Sequence, residues 1–278
     1  MKMKKLFLML FSIAALVACS DDDDGVTPPF EGESEVFDLN AVAGSGVSGD
    51  ATIIENEDGS VTVELDVDGT TEGNMHPAHI HFNSAAEGGV IAISLEPVDG
   101  ATGTSTTTFS AMDDGTAITY EEVVNFDGYI NVHQSADDLG TLVAQGDIGE
   151  NVLTGESVTY DLETRDVDGI SGTATFEERV SGETLVTLNL EGTTEGGSHP
   201  AHIHMGSVAD APGEIAISLT PVDGGSGMSM KAISETDAGE AITYSDLIAY
   251  DGYINVHLSA DDLATLVAQG NIGANAGS

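Results

Sequence analysis

The chain has 278 residues, of which 48 are acidic and six are basic, so its formal net charge is −42. Three of the six basic residues lie within the first five positions, which leaves Arg165, Arg179 and Lys231 for the rest of the chain. So acidic a surface repels nucleic acid and anionic lipid head groups, and we expect neither to be a direct partner.

The first eighteen residues are predicted to be a signal peptide. A basic run at 1–5 precedes an apolar stretch at 6–18 that is too short to span a bilayer. The stretch ends in Leu16-Val-Ala-Cys19, which resembles the lipobox of bacterial lipoproteins, and Cys19 is the only cysteine in the chain. We therefore expect Cys19 to carry lipid that anchors the protein to a membrane. The alternative is a chance cysteine at the end of an ordinary signal peptide.

Residues 19–33 are predicted to form a lipidated acidic linker. The run Asp21-Asp-Asp-Asp24 resembles the export signal that sends lipoproteins of some Gram-negative bacteria to the outer face of the outer membrane. Pro28-Pro29 indicates a flexible, partly extended tether. We expect an outer membrane lipoprotein exposed at the cell surface. The alternatives are a lipoprotein that faces the periplasm and an acidic run that serves only as a solvated spacer.

The rest of the chain has the sequence pattern of short antiparallel strands. Apolar and acidic residues alternate along Val61–Val67, and Asp58-Gly59 just before it is a strong hairpin signal. One short helix per half is predicted where Thr119-Tyr-Glu-Glu122 and Thr243-Tyr-Ser-Asp246 form capping boxes. Many short strands in about 120 residues favour an all-β fold, and an antiparallel β-sandwich over a barrel.

The sequence is a tandem duplication. All eight histidines fall into two matching sets, offset by 123 residues for the first three members and 124 for the last. The period is the size of a domain with its own core, so we predict one domain at 34–152 and a second at 153–275. The two sets are His76, His79, His81 and His133 in the first repeat, and His199, His202, His204 and His257 in the second.

Strand alternation predicts that these histidines converge. His79 and His81 share one face of their strand, and His133 shares a face with Asn131 on another. Three or four neutral imidazoles suit zinc or copper rather than calcium or magnesium. His76 and its counterpart His199 are candidate fourth ligands. Asn131 and Asn255 are candidates to orient the ligands through hydrogen bonds. The alternative is a structural cluster in which the rings tie loops to the sheet.

Three short motifs of the sequence resemble those of the CHRD domain, which was first named from chordin. They are Ala78-His-Ile-His81, Gly128-Tyr-Ile-Asn-Val-His133 and Ala144-Gln-Gly-Asp-Ile-Gly149, each with a close copy in the second repeat. The resemblance implies an immunoglobulin-like β-sandwich in an extracytoplasmic protein without an established enzymatic activity. Many relatives close with Gly-Glu-Ile-Arg-Gly-Gln, and neither repeat has that arginine.

We therefore expect a cell-envelope lipoprotein that acts by binding, with one Zn or Cu ion per domain and no catalytic residues. The first alternative is an adhesion module with an extracellular protein partner, in which the histidines are structural. The second is a metal-dependent redox enzyme, because copper–zinc superoxide dismutase also carries a His-x-His strand on a β-sandwich. Its anionic substrate would be repelled by this surface, which counts against that activity.

Overall fold

The computed structural model of the protein describes residues 30–42 and 44–277. The predicted signal peptide, the lipidation site Cys19 and the acidic run at 21–24 lie outside these residues, so those three remain predictions. From Gly32 onward the chain forms one compact unit. Within the described part, none of the helices has the length and apolar character needed to cross a membrane.

The first repeat, residues 34–152, contains eight strands and one α-helix. A single 3-10 turn, Gly149–Asn151, follows the last strand. The elements are β1 (Ser34–Ala41), β2 (Ser48–Glu55), β3 (Val61–Asp68), β4 (Met75–Phe82), β5 (Ile91–Asp99), β6 (Thr104–Phe109), α1 (Tyr120–Val124), β7 (Gly128–Ser135) and β8 (Asp138–Ile148).

The second repeat, residues 153–275, contains the same elements in the same order. A 3-10 turn, Val208–Asp210, lies between its fourth and fifth strands. The elements are β9 (Leu153–Thr164), β10 (Ser171–Arg179), β11 (Thr184–Glu191), β12 (Ser198–Met205), β13 (Ile215–Asp223), β14 (Met228–Ile233), α2 (Tyr244–Leu247), β15 (Asp251–Ser259) and β16 (Asp262–Gly273).

Both repeats have one strand topology, which is antiparallel throughout. The order in the second repeat is β13-β12-β15-β16-β9-β10-β11-β14, so two four-stranded halves meet where β16 pairs with β9. The first repeat has the equivalent order, and its sheet closes on itself because Asp99 of β5 also pairs with Thr104 of β6. The all-β prediction is confirmed. The β-sandwich prediction also fits, because each repeat consists of two four-stranded halves that are joined at an edge by strand pairing.

Each repeat encloses its own buried apolar cluster, to which both halves of the sheet contribute. In β3 the apolar residues from Val61 to Val67 are buried, and the residues between them are exposed or half-buried. This alternation is what a strand with one wet face requires. The predicted hairpin also forms: β2 and β3 pair along their length, and Gly59 adopts a left-handed conformation with φ of 81° at the turn.

Both predicted capping boxes are present. The Thr119 side chain accepts a hydrogen bond from the Glu122 backbone N–H, and the Glu122 carboxylate accepts one from the Thr119 backbone. Thr243 and Asp246 make the same pair of bonds in the second repeat. These short helices lie just before β7 and β15, the strands that carry His133 and His257.

The two repeats are joined through a buried arginine. Arg179, at the end of β10, is 1% exposed. Its Nη1 donates to Asn151 Oδ1 over 2.9 Å, and its Nη2 lies 3.4 Å from Asp147 Oδ2. Asp147 lies at the end of β8 and Asn151 in the 3-10 turn that follows it, so the guanidinium of the second repeat contacts the end of the first. Nothing in the sequence indicated this contact.

Candidate metal centres

Three histidines of the first repeat converge on one point. β4 pairs with β7 so that His79 lies opposite Asn131 and His81 opposite Tyr129, and this register brings His133 to the same face. One ligand atom from each of His79, His81 and His133 lies within 4.8 Å of the others. His202, His204 and His257 meet the same criterion in the second repeat. We call each group a triad.

Backbone carbonyls set the protonation of two rings in each triad. His81 Nδ1 lies 3.0 Å from the carbonyl oxygen of Gly89, and His133 Nδ1 lies 2.8 Å from that of Leu139. A carbonyl oxygen only accepts hydrogen bonds, so both Nδ1 atoms must carry the proton. In the neutral rings the Nε2 atoms are therefore the unprotonated nitrogens, and each has the lone pair that a metal ion requires.

The third ring faces one of these lone pairs. His79 Nδ1 lies 3.1 Å from His133 Nε2. Because His133 Nε2 is an acceptor in the neutral ring, the proton between these two nitrogens belongs to His79. A metal ion at the centre of the triad would take the place of that proton, and His79 would then carry its hydrogen on Nε2.

The second triad repeats these contacts closely. His204 Nδ1 donates to the Gly213 carbonyl over 2.9 Å, and His257 Nδ1 donates to the Leu263 carbonyl over 2.7 Å. His202 Nδ1 is again 3.1 Å from His257 Nε2. The Nε2 atom of His204 is buried and has no hydrogen-bond partner. A buried nitrogen with an unused lone pair is costly by itself, and a cation bound at the triad would satisfy it.

Burial favours the neutral form of two rings in each triad. It lowers the pKa of His79, with further lowering from His133 and then His81, whereas Asp113 opposes the shift. The pKa of His133 is lowered by burial as well, against the effect of the Leu139 carbonyl. The pKa values of His202 and His257 move in the same direction for the same causes. Near neutral pH these rings are therefore in the form that binds metals.

His76 and His199 lie outside the triads, although they were candidate fourth ligands. Their Nδ1 atoms donate to the backbone carbonyls of His133 and His257, over 3.0 and 3.2 Å. Both rings are buried, and their Nε2 atoms have no hydrogen-bond partner. Each ring thus ties the start of its strand to the backbone of a triad member. The fourth-ligand role stays a prediction that the observed ring contacts do not favour.

Asn131 and Asn255 lie beside the triads but do not set the ring protonation. Asn131 Oδ1 accepts from Gln145 Nε2 over 2.8 Å, and its Nδ2 lies 3.5 Å from His81 Nε2, at the long limit of a hydrogen bond. Asn255 accepts from Gln269 in the same way. The orienting role expected of these asparagines is carried by backbone carbonyls, which a sequence pattern cannot single out because every residue has one.

A tyrosine supports each triad from one side, and sequence reasoning did not assign it a role. The Tyr129 ring stacks on His81, with centroids 4.9 Å apart and planes 17° apart. Its hydroxyl accepts from the backbone N–H of Gly89, whose carbonyl holds His81. Tyr253 makes the equivalent contacts with His204 and Gly213. The sequence feature that could have pointed to this tyrosine is the motif Asp-Gly-Tyr-Ile-Asn-Val-His, which occurs in both repeats.

Comparison with known proteins identifies one domain. Residues 29–145 match the family model of the CHRD domain, a span that includes the first triad and ends within β8. No curated protein and no solved structure matches the chain. The expected relationship is thus confirmed for the first repeat, and the tandem arrangement remains a prediction. Residues 29–145 are thus similar to the CHRD domain.

Proposed function

We propose that the protein is a cell-surface lipoprotein with two CHRD-type domains, each of which binds one transition metal ion, Zn²⁺ or Cu²⁺, through its histidine triad. The observation that carries the proposal is the pair of triads, in which one ligand atom from each of three rings lies within 4.8 Å of the others and backbone carbonyls hold the Nδ1 atoms of two rings. A second CHRD-type domain is supported by the equivalent strand order and the matching triads of the two repeats.

The donor set favours a borderline metal ion. Imidazole nitrogens bind zinc at about 2.0–2.1 Å, which places two ligands of a tetrahedral site about 3.3 Å apart. The observed 3.1 Å between His79 Nδ1 and His133 Nε2 is close to that separation. His79 is only half-buried, so water or an exchangeable ligand could reach an ion that these rings would hold. Three protein ligands with one open position form a site that binds further molecules.

Metal analysis of full-length protein purified in detergent tests the proposal. We expect two equivalents of Zn²⁺ or Cu²⁺ per chain, measured by elemental analysis and titration in excess Ca²⁺ and moderate salt to suppress binding at surface carboxylates. The double change His79→Ala and His81→Ala should remove one equivalent, and His202→Ala with His204→Ala should remove the other. His76→Ala is the matched control, because it removes a buried imidazole outside the triad. Tight binding that survives loss of all four strand histidines would contradict the proposal.

The location of the protein is tested separately. Cys19→Ala should abolish incorporation of a labelled fatty acid, because the lipid would be attached to that thiol. Protease added to whole cells should digest the protein, and deletion of Asp21 to Asp24 should protect it by retaining it inside the outer membrane. A protein that is lipidated but never digested in intact cells would face the periplasm.

A second candidate function is an extracellular protein-interaction module with structural triads. The observation that favours it is that His79 and His133 satisfy each other by a direct hydrogen bond. This candidate predicts that chelators leave the thermal unfolding temperature unchanged. The metal-binding proposal predicts that Zn²⁺ raises it, because a ligand that binds only the folded state stabilises that state.

A further inference from the structure

The two triads are alike, but their surroundings differ in charge, and the difference that connects to a triad through hydrogen bonds is at Lys231. Lys231 lies on β14, opposite Val186 in the strand pairing, and Thr107 occupies the equivalent position on β6, opposite Val63. The Lys231 ammonium donates to the backbone carbonyl of Ser218 over 2.5 Å. In the first repeat, Thr107 Oγ1 instead accepts from the backbone N–H of Glu96. The second repeat thus has a fixed positive charge where the first has a neutral hydroxyl.

Ser218 connects this lysine to the second triad. It is the strand partner of His202, and its N–H and hydroxyl donate to the carboxylate of Asp237 over 2.9 and 2.7 Å. In the first repeat Ser94 is the strand partner of His79 and donates in the same way to Asp113. Each triad therefore has one carboxylate beside it. Only in the second repeat does the serine that holds the carboxylate also bind an ammonium group.

We propose that the two metal centres have unequal affinities, with the triad of His79, His81 and His133 filling first because Lys231 offsets the attraction of Asp237 for a cation at the second triad. This inference rests on the proposed metal-binding function. Asp113 attracts a divalent cation at the first triad without a compensating lysine. At the second triad the ammonium group repels the same cation and partly cancels the carboxylate.

The expected difference is modest and depends on salt. As a general scale, a unit charge on the order of 10 Å from a divalent cation in surroundings close to bulk water changes an affinity by about three- to tenfold at low ionic strength. Salt screens such an interaction, so the two affinities should approach each other when the screening length falls to a few ångströms. A difference in affinity that came from the triad rings themselves would persist in high salt. The salt dependence therefore distinguishes an effect of the Lys231 charge from an effect of the rings.

Single-site proteins measure the difference directly. Full-length protein with His202→Ala and His204→Ala retains only the first triad, and protein with His79→Ala and His81→Ala retains only the second. Zn²⁺ titration should give an affinity about three- to tenfold higher for the first triad at low salt, and nearly equal values at about 1 M salt. Equal affinities at low salt would overturn the inference. Absence of Zn²⁺ binding at both triads would instead refute the proposed function.

Exchange of the two counterpart residues gives the decisive control. Lys231→Thr in the second-triad protein should strengthen Zn²⁺ binding by about three- to tenfold, and Thr107→Lys in the first-triad protein should weaken it by a similar factor. Lys231→Arg retains the charge and should leave the affinity low. Thermal unfolding of each variant verifies that it is folded. An affinity that does not respond to Lys231→Thr in a folded protein would overturn the inference.

Discussion

The loops at one end of the two repeats are built alike but differ at one carboxylate. In the first repeat, Asn151 donates to Asp127 over 2.8 Å, and Asp147 Oδ1 accepts from the backbone N–H of Ala85. In the second repeat, Asn275 donates to Asp251, and Asn271 Oδ1 accepts from the backbone N–H of Val208. The backbone contacts are conserved between the repeats. The charge at the position of Asp147 is not.

The charge differs because Asp147 lies at the contact between the two repeats. We call this contact, formed by Arg179 with Asp147 and Asn151, the junction. Asp147 faces Arg179 of the second repeat, whereas the residue equivalent to Arg179 in the first hairpin is Asn56, which bonds within its own hairpin to Ser60 and Thr62. A charged pair thus occurs where one repeat meets the other. The equivalent residues that do not lie at this contact, Asn56 and Asn271, have neutral amide side chains. The comparison teaches that the two repeats share the geometry of their triads, whereas the contact between them has a charge pattern of its own.

The junction is also a place of electrostatic cost. Burial raises the pKa of the Asp147 carboxyl, although the Ala85 N–H and the Arg179 guanidinium oppose the shift. The Nε atom of Arg179 is buried without a hydrogen-bond partner. A buried pair of this kind is a weak source of net stability, but removing one partner alone is strongly unfavourable because the other charge remains buried.

The largest effect is expected when the junction is broken. Arg179→Ala should lower the free energy of unfolding by about 3–5 kcal/mol, because Asp147 and Asn151 lose a buried partner. Urea denaturation of the full-length protein in detergent measures the loss. Adding Asp147→Asn, which copies the residue found at 271, should recover part of it because the stranded charge is removed. A loss below about 1 kcal/mol for Arg179→Ala would show that the junction contributes little.

The next largest loss of stability is expected at His76 and His199, which make the same contact in the two repeats. His76→Ala and His199→Ala should each lower the free energy of unfolding by about 1–3 kcal/mol, since each removes a buried hydrogen bond to a backbone carbonyl. The two losses should be equal within error, in contrast to the junction. Zn²⁺ stoichiometry should stay at two in both variants. Loss of one equivalent in either variant would mean that these rings are ligands.

A smaller effect is expected at the helix caps. Thr119→Ala and Thr243→Ala each remove the side-chain oxygen of a capping box and should cost about 1 kcal/mol. The measurement is again urea denaturation, with Thr→Ser at each position as the control that keeps the oxygen. Unequal costs would indicate that α1 and α2 support their repeats to different extents, which their matching geometry does not predict.

The smallest effect is a dependence of stability on pH in the metal-free protein. The folded pKa values of His79 and His133 are lowered below the ordinary value of about 6.5, chiefly by burial. The unfolded chain therefore takes up protons before the folded protein does. Stability should be full above about pH 6.5 and should fall as the pH drops toward the folded pKa values. A variant with His79→Ala and His133→Ala should lose less stability over that pH interval, as measured by urea denaturation. Equal slopes of unfolding free energy against pH in the two proteins would contradict the assignment of this effect to the two histidines.

Much of the fold could be predicted because its signals are local. Alternation along Val61–Val67, the turn at Asp58-Gly59 and the capping box at Thr119 each depend on residues a few positions apart. The convergence of His79, His81 and His133 was also predictable, since a strand projects alternate residues from one face and the two His-bearing words were visible. The duplication, read directly from repeated words, determined that any such site would occur twice.

Only the tertiary structure decided which nitrogens face the centre of the triad and which rings are excluded from it. The register between β4 and β7 joins residues about fifty positions apart, and it directs His76 to the His133 carbonyl rather than into the triad. The carbonyls of Gly89 and Leu139 fix the ring protonation, and Arg179 reaches across to Asp147. These contacts depend on the positions of backbone atoms and of distant strands, and a pattern of side-chain types along the chain contains neither.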